Sequence, residues 1–299
     1  MNHDRLFKEL LTTFFHEFLE LFFEEIADLI DHSQPPVFLD KEVFGQLTSD
    51  RRRELDLVAR VKLAGEDAHF LVHLEPQAQW IEDFPEKMFR YFARLWDRHE
   101  LRVYPIAILA FDRPRELQES QLGMRFPGLK VLDFRFSIVQ LNRLDWRGFV
   151  DKPNPVASAL MARMNFPEAE HPRVKLQCLR LLATLSLEPA KSALISKFVD
   201  SYLRLGPDEV RIFDKNLETI PEVEKREIMS YATSWEEVGE LRGQLKGLRE
   251  GLEVALSLTF GDHAQPLIEH IQSSDLAALE RLKARMLPGV QLEDLESAL

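Results

Sequence analysis

Between residues 6 and 22 apolar side chains recur at helical spacing in two stripes. Leu6, Leu10, Phe14, Phe18, Leu21 and Phe22 make one, and Phe7, Leu11, Phe15 and Leu19 the other. The pattern predicts one helix, or two in series, over 4–31, started by Asp4 and covered by protein on both sides. A membrane-surface helix would need a basic polar face, and the polar positions here are acidic. SQPPV at 33–37 ends the helix, and a short extended segment, VFLDKEVF, and a loop, GQLTSDRR, follow. Residues 54–63 then alternate. Leu55, Leu57, Ala59, Val61 and Leu63 point one way, and Glu54, Asp56, Val58, Arg60 and Lys62 the other. AGED, a Gly-containing hairpin turn, leads into a second strand at 68–75.

FPEKMFRYFARLWDRHE (84–100) has the period of an amphipathic helix. VYPIAILAF (103–111) is continuously apolar, as a strand covered on both faces would be, and 131–144 predicts another strand. The order α-β-β-β-α-β-β makes residues 1–150 a mixed α/β domain. After DKPNP the chain predicts helix after helix, with prolines at the breaks of a 151–235 helical region. Within 236–299 glycine stands at 239, 243, 247 and 251 along one side of a helix. Two readings fit this repeat: a weak helical linker, or a closely packed helix pair between subunits. Glu240, Arg242, Lys246 and Arg249 exclude a membrane dimer motif. A small helical tail completes the chain.

The length of 299 residues allows one large domain or two modest ones, and the 45% hydrophobic content suffices for a core. A formal net charge of -12 argues for solubility and against a generally basic nucleic-acid surface. No run of 18 uncharged apolar residues occurs, so no membrane span is expected, and no secretory signal is visible. Cys178, the lone cysteine, lies in an apolar run and reads as a buried, inert thiol in a reducing, cytoplasmic setting.

A two- or four-residue turn centred between Gly65 and Glu66 pairs residues whose numbers sum to 131. Asp56 then opposes Glu75, Glu54 opposes Gln77, and Val58 opposes His73, all on one face, with Cβ atoms of opposed residues roughly 4.5–5.5 Å apart. Two facing carboxylates repel, and a hard divalent cation such as Mg²⁺ or Mn²⁺ relieves the repulsion by binding both. Gln77 can steady a water or a phosphate through its amide. The other reading is a solvated sheet face on which Arg60 or Lys62 balances the acids. A three-residue turn would shift the register and separate the pair.

An acid on one strand and Glu75-x-Gln77 on the next resemble the PD-(D/E)XK nuclease core, with Gln77 at the lysine position. More widely, HDRLFKELL, LDKEVF, RRRELDL, HLEPQAQ, FRYFARL and YPIAIL are similar to segments of the Rpn family of recombination-promoting nucleases, a transposase-like group. NPVASALMA, RVKLQCLRLLATL, FVDSYLRL and the glycine-repeat tail extend that likeness to long bacterial members, many of them cyanobacterial. The resemblance implies a restriction-endonuclease-like αβββαββ core with a mixed sheet, followed by an all-helical C-terminal region. It implies a Mg²⁺-dependent endodeoxyribonuclease acting on DNA without an organic cofactor, and since two sites, one per strand, would suit double-strand cutting, a homodimer is expected. Asp56, Glu75 and Gln77 would be the active-site residues, with the metal on Asp56 and Glu75. Family members often carry His after the Glu, where this chain has Pro76; proline predicts that the strand ends or lies at an edge there.

Further candidates for DNA contact are Lys8 on the first helix, Arg51-Arg52-Arg53 beside the Asp56 strand, and Arg90 and Arg94, which share a face four residues apart. Glu42 and Glu54 are candidate additional metal ligands. His73 reads as a packed histidine.

Overall fold

The computed structural model describes residues 3–39, 57–231, 235–274, 276–286 and 290–296. Three helices come first: α1 (His3–Thr13), α2 (Phe15–Phe22) and α3 (Glu24–Ala27). Then follow β1 (Val37–Phe38), β2 (Leu57–Lys62), β3 (His69–Gln77), α4 (Phe84–His99), β4 (Arg102–Leu109), β5 (Gln121–Phe126), β6 (Leu129–Arg135) and β7 (Ser137–Gln140). Five strands form one mixed sheet in the order β1-β2-β3-β4-β7. The first three are antiparallel, and β4 and β7 run parallel to their neighbours. The protein is therefore mixed α/β. The single strand expected at 131–144 is divided: β6 pairs with β5 in a separate hairpin, and β7 joins the main sheet. The division falls at Phe136, whose N–H donates to Ser120 O at 3.1 Å.

The β2–β3 register is the one the turn requires. Leu57 pairs with Leu74 and Val58 with His73, through to Lys62 with His69. Gly65 sits in the turn at φ 76, a conformation that favours glycine. The described ladder stops one residue short of the expected Asp56–Glu75 pair: Asp56, Glu54, Glu42 and Arg51, Arg52 and Arg53 all lie outside the described residues. Pro76 does not end the strand. β3 continues to Gln77, with Pro76 paired to Ile108 of β4. The reason is backbone alternation. Ala110 N–H donates to Gln77 O at 2.9 Å, so the odd residues turn their backbone groups toward β4 and the missing Pro76 N–H faces the other way.

The two faces of the sheet carry different helices. Phe38, Ala59, Val72 and Tyr104 form one cross-strand row. Phe15 meets Phe38 edge-on at 5.7 Å, and Phe23 meets Tyr104 at 6.2 Å, so the N-terminal helices cover this face. Most of both apolar stripes is buried, Leu10, Leu11, Phe14 and Phe15 included, while Leu21 and Phe22 at the end of α2 are half-buried. On the opposite face Leu95 of α4 packs with Val58 and Leu71.

Helices α5 (Pro155–Leu160), α6 (His171–Thr184), α7 (Pro189–Tyr202), α8 (Pro207–Glu218) and α9 (Glu222–Tyr231) follow. The change in composition near 150 is not a change of packing unit, because one compact unit spans 1–205 and 212–232. Asn154 shows why. Its Oδ1 caps α5 by accepting from Val156 N (2.8 Å) and Ala157 N (3.2 Å), while its Nδ2 donates to Glu17 O (2.8 Å) on α2. Phe7 of α1 likewise meets Phe198 of α7 at 5.2 Å.

The second unit, 206–211 and 233–299, contains α10 (Trp235–Phe260), α11 (Gln265–Ser273), α12 (Leu276–Arg285) and α13 (Leu292–Glu296). Leu252, Leu256, Leu267, Ile271, Leu282 and Leu295 build its core. The glycine repeat thus belongs to a single long helix with a buried side. A Cβ at Gly247 or Gly251 would meet no atom within 4 Å. Among the described residues no helix is long and apolar enough to cross a membrane.

Candidate functional site

Strand β3 is apolar on its even positions, while His73, Glu75 and Gln77 follow one another on its odd face, toward α4. Helix α4 begins with Pro85 in its first turn and buries Met88, Tyr91 and Leu95. Residues 87, 91 and 95 form one ridge at four-residue spacing. Four helical residues rise about 6.0 Å and two strand residues about 6.6 Å, so a helix running against the strand keeps step with its alternate side chains. The contacts follow that match: Lys87 with Glu75 and Gln77, Tyr91 with His73, Leu95 with Leu71.

Lys87 is the centre of the site. Its Nζ donates to Glu75 Oε1 and, at 3.0 Å, to Gln77 Oε1. The same ammonium stands 5.8 Å from the Phe84 ring centroid and 5.5 Å from that of Tyr91. Gln77 Nε2 donates to Gln79 O at 2.5 Å, which fixes the carboxamide with its oxygen toward the lysine. Glu75 is 1% exposed and Lys87 16%. The pair therefore lies where desolvation is costly and one ion answers the other.

His73 Nε2 is 3.9 Å from Glu75 Oε2, and its ring meets Tyr91 edge-on at 5.6 Å. Burial lowers the His73 pKa from 6.5 to about 4; Glu75 opposes the shift and Lys87 adds to it. The imidazole is neutral at pH 7, as a packed histidine should be. No three His, Cys, Asp or Glu side chains gather as a metal-holding group among the described residues.

The structure brings Glu75 and Gln77 together and adds Lys87, which the reading of the sequence did not single out. A lysine on the same ridge as the buried Tyr91 and Leu95 was the available signal. Arg90 is elsewhere: it is exposed and pairs with Glu86 at 3.0 Å. Arg94, one turn on, is half-buried, as is Lys8 on α1. Cys178 is fully buried, and burial pushes its thiol pKa up. No protein-family model, curated protein or solved structure gives a significant match to this chain.

Proposed function

We propose that the chain is a metal-dependent DNA endonuclease of PD-(D/E)XK type, related to the Rpn nucleases and acting in recombination, mobile-element biology or defence. The observation that carries the reading is the seating of the Lys87 ammonium between the Glu75 carboxylate and the Gln77 carboxamide at the end of β3. A lysine at position 77 would have delivered its ammonium from the strand. Here a carboxamide stands on the strand and an ammonium reaches it from the helix. Three antiparallel strands, a helix and a parallel strand, in that order, also support the reading.

Glu75 offers a buried carboxylate oxygen, and Asp56, at the next position of the 131 register, is the proposed second ligand. A divalent cation held there would neutralise phosphate charge and acidify a water. Lys87, with two donors given to Glu75 and Gln77, would present its positive charge to the phosphate or the attacking oxygen. Gln77, its Nε2 held by Gln79 O, positions the Lys87 ammonium through its Oε1, and α4 with its aromatic rings keeps bulk water from the inner side. Two copies would place one site on each strand of a duplex.

One observation favours a second reading, a catalytically silent scaffold that binds partner proteins through its helical half. Lys87 already neutralises Glu75, so the fold has no need of a cation at that carboxylate. Plasmid nicking with Mg²⁺ or Mn²⁺ separates the two. The nuclease cuts, and Asp56→Ala does not; a scaffold shows no cutting in either protein and equal partner binding in both.

A further inference from the structure

The β5–β6 hairpin stands outside the main sheet and carries a locally basic surface on an acidic chain. Pro127 and Gly128 make its turn, and Gly128 at φ 78 supplies the positive φ that a Pro-Gly turn demands at its second position. Opposed residues share a face and successive ones alternate. Phe126 therefore faces with Leu129, and Arg125 with Lys130 on the other side. Phe126 is 62% and Leu129 61% exposed, and Arg125 and Lys130 are exposed as well. Residues 113–143 hold six Lys or Arg against three Asp or Glu, in a chain of net charge -12.

Below this tip the hairpin is firmly rooted. Leu122, Leu132 and Phe134 pack into the cluster that includes Phe89 and Phe92 of α4. Buried Gln140 donates to Glu116 O at 2.9 Å and accepts from Gln118 N at 3.1 Å, while Asn142 donates to Pro114 O at 2.8 Å. These carboxamides pin the incoming strand. The root also adjoins the candidate site, since Phe136, at the end of the hairpin, meets Phe84 at 5.8 Å, and Lys87 lies over Phe84.

We infer that this hairpin is an arm that grips a nucleic-acid duplex, with Arg125 and Lys130 on phosphates and the Phe126–Leu129 tip wedged into the minor groove. Apolar wedges flanked by basic residues suit that groove. Asp133 pairs with Lys130 and Arg135 within the hairpin, which still leaves the arm net positive with Arg125 exposed at its tip, and that excess disfavours a second copy of the same arm. A bilayer would not explain why the arm is rooted beside the Lys87 site. The choice of a nucleic-acid duplex over a bilayer rests on the nuclease reading; the exposed, basic, firmly rooted hairpin does not.

Fluorescence anisotropy with a short labelled DNA duplex, without divalent metal, tests the arm on the full-length protein. Arg125→Ala/Lys130→Ala should weaken binding roughly tenfold or more and flatten the log–log salt slope by about 2, since each phosphate contact contributes about 0.9. Phe126→Ala/Leu129→Ala should weaken binding with the slope unchanged. Unaltered affinity in both variants overturns the arm. So does a dimer lost in sedimentation, or loss of binding to phosphatidylserine vesicles alone, because the occupant is then a second copy or a lipid surface. Plasmid cutting by the same proteins separates the two proposals. Wild-type cutting with unaltered variant affinity sinks the arm and leaves the nuclease; arm-dependent binding without cutting sinks the nuclease and leaves the arm.

Discussion

Two lysines of this chain are drawn inward to meet a carboxylate, in different company. Lys175 of α6 lies 2.7 Å from Asp200 of α7, at 6% and 11% exposure, among buried Leu176, Leu179, Ile195 and Phe198. Lys87 meets Glu75 at a strand end, where a carboxamide shares the ammonium and an imidazole stands 3.9 Å from the same carboxylate. The first pair staples one helix to the next. The second joins a helix to a strand through side chains that can bind ions, hold a phosphate or orient a water. Burial of an ion pair does not by itself mark a site, because breaking any such pair leaves an uncompensated charge. What distinguishes Lys87 is the chemistry gathered around it.

The largest expected contrast is in catalysis. Glu75→Ala should lower Mn²⁺-dependent plasmid cutting on the order of 10³-fold, and Lys87→Met about 10²-fold, near 1.4 kcal/mol per tenfold. Lys175→Ala should leave cutting per folded molecule unaltered. If Lys175→Ala matches Glu75→Ala in rate at equal folded fraction, the distinction between the two pairs fails. Next comes stability: Lys175→Ala should cost roughly 3–5 kcal/mol in urea unfolding, whereas Lys175→Met with Asp200→Leu should recover most of that loss.

A smaller effect belongs to His73. Its folded pKa of about 4 lies below the ordinary 6.5, so between these values the unfolded chain takes up a proton that the native chain refuses. Stability therefore falls as pH drops from 6.5 to about 4, by about 3 kcal/mol in all, and is unaffected by this group above that window. Unfolding midpoints measured across pH 4–7 should flatten in His73→Phe relative to wild type. The smallest signal is Cys178. Its buried, high-pKa thiol should react with a disulfide reagent only as fast as the protein opens, and denaturant should release it at once.

The sheet's centre was readable because alternation along 57–63 and a glycine at 65 pointed to a turn of two or four residues, and the structure takes that register rather than the one a three-residue turn would give. Glu75 and Gln77 followed from that register. Lys87 did not, because it reaches Glu75 from a helix, and single-chain periodicity says which residues share a face without saying which strand side chain each will meet. The hairpin was missed for a related reason. Gln121–Phe126 alternates only weakly and is mostly exposed, so it lacks the buried stripe that reveals a strand, and only the Pro-Gly turn hinted at it. Pro76 shows the converse limit: proline excludes a donor on one side of a strand, and the side that matters is known only once the neighbours are placed.

The central claim is that Asp56 and Glu75 share one divalent cation beside Lys87. Anomalous scattering from Mn²⁺-soaked crystals tests it most directly. The account predicts one peak per chain, within coordination distance of both carboxylates and absent in Glu75→Ala. Asp56 and Glu75 directed to opposite sides of the sheet, with no peak at saturating Mn²⁺, would contradict it.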